Sequence, residues 1–425
     1  MTIAVQNIRI IALISTVVVL ICHLSSAQTE YLVTVNPVTG EFTKIDSLPG
    51  VKWITVGPSY TVFDEDNGQF IFQGQDADGN SFLYSVDAPS GEIISQPSFP
   101  ALEDSEDNVV ELQFDNTSNK LYALSWDSSE GKEFFGEVNP ATGIFSPIDS
   151  LPGVLYISIL PNFTTYDNNN HRYFFHGYDA SNLGRLYIVD AATADLISNA
   201  PFPLLTDPLD NVIELQYDNS SNTLFALHWD NSEGMEFLVS VDPFTGDYTL
   251  ITELPGVSWI STSPHYTVFD ETQHRYVFRG GDDNGNWYLY SVDVNAENIV
   301  FSPLFPVLDY PEDNVVELQV DNSTGNYYAL HWEVNTITGI SSFIDTGTFE
   351  IFPNPMQSTT TVSVNQASAN TTLFMYDALG NVVHRSNHPH ATSIEVPRGT
   401  LLPGTYFISL VCDHQHTGIK KLIVE

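Results

Sequence analysis

Along residues 30–335 the apolar positions come in short runs rich in Val, Ile, Phe, Tyr and Leu, and no long segment has the period of a helix. Val109 to Asp115, Lys120 to Trp126, Glu133 to Val138 and Gly143 to Ile148 are four such runs in succession. Turn chemistry separates them. Asp64-Glu65-Asp66-Asn67-Gly68, Asp115-Asn116-Thr117-Ser118-Asn119 and Asn139-Pro140-Ala141-Thr142-Gly143 carry the residues that accept positive φ or bond their own backbone. The pattern predicts strands joined by hairpins, and therefore an all-β chain.

The runs repeat. Leu48-Pro49-Gly50-Val51 returns as Leu151-Pro152-Gly153-Val154 and Leu254-Pro255-Gly256-Val257, and Asn108-Val109-Val110-Glu111-Leu112-Gln113 returns from Asn211 and from Asn314, each at a step of 103 residues. Each long repeat divides again, since Phe63-Asp64 aligns with Phe114-Asp115 at a step of 51. Four short strands in a unit of that length make one blade of a β-propeller. Blades start near Ser59, Asn108, Asn162, Asn211 and His265, and a sixth begins at Asn314 with its first two strands, through Trp332. The missing outer pair lies at the other end of the chain, where Glu30 to Gly40 matches Glu133 to Gly143. The expectation is a six-bladed propeller closed by its N-terminal strands, the "velcro" arrangement. A solenoid would call for polar caps instead of a split unit.

The first residues are of another kind. Arg9 precedes an unbroken apolar and small-residue run from Ile10 to Ile21, and Ser25-Ser26-Ala27 offers a cleavage site. The run is short for a membrane span, so residues 1–27 read as a signal peptide. Bulky Leu20 and Ile21 before Cys22 speak against a lipidated cysteine. Cys412 is then alone in the mature chain, so packing and not disulfides must stabilise it. The formal net charge of −40 argues against nucleic acid and against anionic lipid, both of which need clustered Lys and Arg. No further segment is apolar enough to span a bilayer. The acidity stops near residue 345: Arg385, Arg398, Lys420 and Lys421 balance Asp377, Glu395, Asp413 and Glu425 in residues 351–425. That change marks a domain boundary, giving a propeller over 28–345 and a second domain over 346–425.

The second domain reads as a small Ig-like β-sandwich. Phe352-Pro353-Asn354-Pro355, the run Leu373 to Val383 with Gly380 at its turn, Leu402-Pro403-Gly404-Thr405-Tyr406 and the terminal Gly418-Ile419-Lys420-Lys421-Leu422-Ile423-Val424 together resemble the type A sorting domain of the type IX secretion system. The resemblance covers the last 75 residues or so, in order, spacing and terminal position. It implies a Bacteroidota-like source, Sec export, engagement of the type IX machinery and delivery to the cell surface or the medium, with Pro353, Asn354, Pro355, Gly380, Pro403, Gly404, Lys420 and Lys421 as the sorting motif.

Nucleophile elbows, zinc motifs, phosphate loops and dinucleotide fingerprints are absent from the sequence. Three groups of residues could carry function. Glu111, Glu214 and Glu317 share one place on the innermost strand of alternate blades. Converging on a central channel they would suit Ca²⁺ or Mg²⁺; as copies of a structural residue they would bond amides or water. Trp126, Trp229 and Trp332 end the second strand of those blades, beside the variable Ser125, His228 and His331. They could hold a glycan or protein ligand, or fill gaps between blades. The acidic turns at Asp76/Asp78 and Asp282/Asp283 resemble calcium loops without the closing Glu and read as ordinary hairpins. High internal symmetry favours a binding or adhesion protein over the alternative, a polysaccharide lyase or hydrolase with a central cation, because an enzyme breaks symmetry at its site.

Overall fold

The computed structural model describes residues 27–425, apart from 58, 101–106, 160–161, 206–209, 309–312, 336–348, 365–370, 377–381, 400 and 413–414. Residues 1–26 of the expected signal peptide, Gly380 and the expected boundary near 345 lie outside these residues. The chain forms two units that divide between Val334 and Asn335.

The first unit is six antiparallel sheets. The second blade is the plain case: Asn108–Asp115, Lys120–Asp127, Lys132–Val138 and Phe145–Ser150 pair in chain order from the axis outward. The fourth repeats it from Asn211–Asp218 to Tyr248–Glu253. In the first, third and fifth blades the innermost strand is split. The third has Val154–Ile157 and Thr164–Asp167 one after the other along the same edge of Arg172–Asp179. The sixth blade joins the ends of the unit: Asn314–Asp321 and Asn326–Asn335 are completed by Ala27–Val35 and Phe42–Ser47. The predicted closure is thus present, and each of the six inner strands touches the inner strands of both neighbours.

The hydrophobic alternation buries one set of side chains between adjacent blades. Phe63 stacks on Tyr328, Phe174 on Tyr217 and Phe225 on Phe269, each ring pair spanning two blades at 5.3 Å. Core clusters run across blade boundaries in the same way, one of them joining the N-terminal Leu32 and Val33 to Val316 and Leu330 and on to Phe70. Repeated aromatics here are packing material, each contributing the burial of a large apolar face.

The second unit is a sandwich of a three-stranded sheet (Phe349–Phe352, Thr359–Val364, Ser393–Pro397) and a four-stranded one (Thr371–Tyr376, Val382–Asn387, Gly404–Cys412, Gln415–Val424). Its core holds Phe349, Met356, Val362, Leu373, Met375, Ile408, Leu410 and Leu422. The Pro-Asn-Pro motif has a structural task. Asn354 Nδ2 donates to the Lys421 carbonyl at 2.7 Å, and Ile423 N–H donates to Asn354 Oδ1 at 2.9 Å, so one side chain clips the last strand in place. Pro353, Pro355, Pro403, Gly404 and Lys421 are exposed around it.

Removing residues 28–47 leaves the sixth blade with two strands and an open edge. Such a chain should lose the cooperative thermal transition of residues 28–425 and elute as aggregate on gel filtration. A monomer with an unchanged melting temperature would show that the N-terminal strands do not close the ring.

Candidate functional site

A cavity of about 120 Å³ lies on the axis of the propeller, with walls from the inner strands. Its mouth is a ring with one residue from each blade: Glu65, Asn116, Asn168, Asn219, Glu271 and Asn322. The ring is held by one repeated bond, in which a backbone N–H donates to the side-chain oxygen one blade ahead. The distances are 2.8 Å for Glu65 to Asn116, 2.8 Å for Asn116 to Asn168, 2.7 Å for Asn168 to Asn219, 3.2 Å for Asn219 to Glu271, 2.9 Å for Glu271 to Asn322 and 3.4 Å for Asn322 back to Glu65. The circuit closes without a gap.

His265 also lines the cavity, and it is linked to Asn162 and Ser59, three residues at the 103-residue step that differ in kind. Ser59 Oγ donates to Asn162 Oδ1 at 2.9 Å, and Asn162 Nδ2 lies 2.8 Å from His265 Nε2. The side chains are linked across the axis. Burial lowers the His265 pKa to about 4, so the ring is neutral and can accept from the amide.

Glu111, Glu214 and Glu317 lie in this region, one on each of three alternate inner strands. Each sits in a β-bulge where the register shifts, with φ of 58°, 59° and 57°. The bulge frees the next N–H, and Leu112, Leu215 and Leu318 donate to the carbonyls of Ser59, Asn162 and His265 in the preceding blade. The carboxyls turn toward the threonines of the following split strand. Thr164 donates to Glu111 Oε2 at 2.5 Å and Thr61 to Glu317 Oε2 at 2.8 Å. Among the described residues no three His, Cys, Asp or Glu side chains gather to hold a metal ion. Desolvation raises Glu111 to about 8 and Glu214 and Glu317 to about 7, with Thr164 and Ser59 acting against it at Glu111. Gln113, Gln216 and Gln319 donate to the carbonyls of Thr164, Thr267 and Thr61.

A second threefold set, absent from the sequence reading, is Glu30, Glu133 and Glu236. They are buried on the third strands and raised by desolvation to about 8, 7 and 7. Glu133 lies opposite Trp126, and Glu236 opposite Trp229. The same 103-residue step would have found them.

The aromatic and histidine candidates are dispersed. Trp126, Trp229 and Trp332 are half-buried, one on each of three alternate blades, and no ring contact joins any two of them among the described residues. His228 and His331 are buried. Their Nδ1 atoms lie 2.8 and 2.9 Å from the carbonyls of Asn211 and Asn314, where Ser125 Oγ donates to Asn108 at 2.7 Å. His228 packs on Tyr248, and His331 lies between Tyr31 and Phe42. This position satisfies a carbonyl within its own blade. In the acidic turns Asp76 accepts from the N–H groups of Asp78 and Asn80, and Asp282 from those of Asn284 and Asn286, each at 2.9 Å.

Departures from the repeat gather elsewhere, on the fifth blade. Gln73 and His176 each reach the carbonyl of a buried phenylalanine, Phe99 at 3.3 Å and Phe202 at 3.1 Å. Their counterpart is Arg279, whose Nε donates to the Phe305 carbonyl at 3.4 Å. Ser81 and Gly184 are matched by Trp287, and Gln75 and Tyr178 by Gly281. The Arg279 guanidinium lies 4.4 Å from the Trp287 ring centre and 4.7 Å from that of Tyr266. Trp259 leans over Gly281, where a Cβ would stand 2.0 Å from its indole nitrogen. Tyr266 is fully buried. Its hydroxyl lies beside the Arg279 guanidinium, which acts on it by charge and as a side-chain hydrogen-bond donor. Sequence reasoning followed what repeats and so passed over these positions; aligning the three long repeats and asking where they differ would have marked them.

Solved structures with a similar course of chain are distant. TolB from Acinetobacter baumannii has 11% identity and a TM-score of 0.41, with 67% of this chain and 65% of that one covered. This chain thus spans just under two thirds of TolB. An oligogalacturonate lyase in complex with manganese has 13% identity and a TM-score of 0.44, covering 74% and 99%. The extracellular domain of a two component system from B. thetaiotaomicron has 10% identity and a TM-score of 0.36, covering 88% and 59%. These are likenesses of fold alone. A search of curated proteins found no match. Residues 350–425 match the family described as the secretion system C-terminal sorting domain, and this tail directs the chain through type IX secretion to the cell surface or the medium.

The buried carboxyls set a pH dependence. Unfolded, these groups release protons near 4.5; folded, they hold them to about 7 or 8. Between those values the folded state binds more protons, so their contribution is complete below 4.5 and is lost as pH rises to about 8. Melting temperature should therefore be higher at pH 5 than at pH 8. The triple variant Glu111→Gln, Glu214→Gln, Glu317→Gln, which cannot ionise, should narrow the difference. An unchanged slope, or a calcium-induced rise at pH 8 that the variant loses, would contradict neutral, separately bonded carboxyls.

Proposed function

We propose that the protein is a non-catalytic carbohydrate-binding propeller working outside the cell. The observation that carries this reading is the place where the threefold scaffold departs from itself. On the fifth blade, small or polar residues of the other repeats are replaced by Trp287 and Arg279, and an exposed Trp259 leans over a glycine. Flat aromatic faces take the apolar faces of sugar rings, and charged or amide donors take hydroxyls. The sorting tail supplies the setting, since it delivers the propeller to where polysaccharide is met. The rest of the ring serves as a rigid mount. Its inner strands are hydrogen-bonded from blade to blade around the axis, so a ligand gains from a surface that loses little freedom on binding.

The test is a glycan array probed with the mature chain, followed by titration of the hits. The reading expects saturable binding to a restricted set of glycans, with no new reducing ends after prolonged incubation. Sugar release would contradict the non-catalytic reading; an array without a hit would contradict carbohydrate binding.

A further inference from the structure

The fifth-blade site has a chemistry that narrows the ligand, and the inference rests on the carbohydrate-binding reading. The structural task at this position is small. In the first and third blades a neutral Gln73 or His176 satisfies the phenylalanine carbonyl, and Arg279 does the same through Nε. A guanidinium is not needed for that bond, and it brings a charge into a half-buried place. No carboxylate answers it: Arg279 makes no ion pair among the described residues, in a chain with 53 acidic residues against 13 Lys and Arg. Its remaining donors meet no carboxylate or carbonyl acceptor among the described residues. The fully buried Tyr266 hydroxyl on one flank can take only one of them. A half-buried guanidinium without a counter-charge is costly, and its remaining donors indicate an anionic acceptor that the fold does not supply.

We propose that Arg279 and Trp287 form a subsite for a uronic-acid residue of an acidic polysaccharide. The Arg279 fork takes the planar carboxylate in a bidentate pair, Trp287 takes the apolar face of the pyranose, and the buried Tyr266 backs the guanidinium from beneath. A carboxylate fits a single flat fork, whereas a tetrahedral sulfate or phosphate is ordinarily met by several donors. Trp259, 40% exposed and held over Gly281, extends the aromatic surface for the next sugar.

The experiment is calorimetric titration of the mature chain with three probes: tetragalacturonate, its fully methyl-esterified form, and a hexaglutamate peptide. The subsite predicts saturable binding of the acid and binding of the ester weaker by roughly ten- to a hundredfold, the share of one charge-assisted hydrogen-bond pair. R279Q installs the residue that the first repeat carries and retains a donor for Phe305, so its melting temperature should match the parent while its affinity for the acid falls to that of the ester. W287S, which restores the serine that the first repeat carries at Ser81, should weaken acid and ester alike. R185Q makes the same charge change on the third blade and should leave affinity unaltered. Equal affinity for acid and ester, or acid binding that survives R279Q, would overturn the uronate subsite while leaving carbohydrate binding intact. Arg279-dependent binding of the peptide with no binding of either sugar would overturn both and assign the site to an acidic protein. Failure of all three probes beside a positive array of neutral glycans would overturn the subsite alone.

Discussion

Ring closure governs this structure. An innermost strand has one edge in its own sheet and another facing the axis, and backbone groups at that free edge must find partners or water. With six strands in a circle, each edge is answered by the next blade. The asparagine and glutamate mouth ring is one answer, a backbone N–H to a side-chain oxygen repeated around the axis. The bulges at Glu111, Glu214 and Glu317 are the other, since each frees an N–H for the preceding blade. A non-glycine residue at positive φ costs about 1 kcal/mol or more, and the cross-blade bond together with the threonine contact offsets it. The same crowding raises the carboxyl pKa values: burial at the axis takes away the water that would solvate charge.

Triplication of a 103-residue pair of blades built the scaffold, and function is read where the copies diverge. Equivalent positions keep the structural bond and change everything else. Gln73, His176 and Arg279 all satisfy a phenylalanine carbonyl. Ser125, His228 and His331 all satisfy an asparagine carbonyl. In the second set the variable groups are sealed beneath outer-strand aromatics. In the first, the fifth-blade member is half-buried with aromatic faces around it. Variation alone is therefore a weak guide, and variation at an accessible place is a better one.

Much of the fold was legible because the period is long and the turns are explicit. Leu-Pro-Gly-Val, the Asn-Val-Val-Glu-Leu-Gln segment and the stray Glu30-to-Gly40 match determine blade count and closure together. The split inner strands were not legible: Trp53–Ile54 and Thr61–Asp64 are too short to show alternation, and which edge they share is a tertiary fact. The glutamates were located correctly on the inner strands, but a period-2 strand places Glu111 and Gln113 on one face, and the bulge between Val110 and Gln113 breaks that register. Asn354 shows the reverse: a sorting motif recognised by pattern proves to be a clip on the terminal strand.

The central claim is that the N-terminal strands and the ring of inner strands make six blades one cooperative unit. Hydrogen–deuterium exchange on the mature chain, followed by mass spectrometry, tests it most directly. The account predicts that peptides from residues 28–35 and from all six inner strands exchange together, at the slow rate of global unfolding. Rapid, separate exchange of residues 28–35 while Asn314–Asp321 stays protected would mean that the ring stands without its closure.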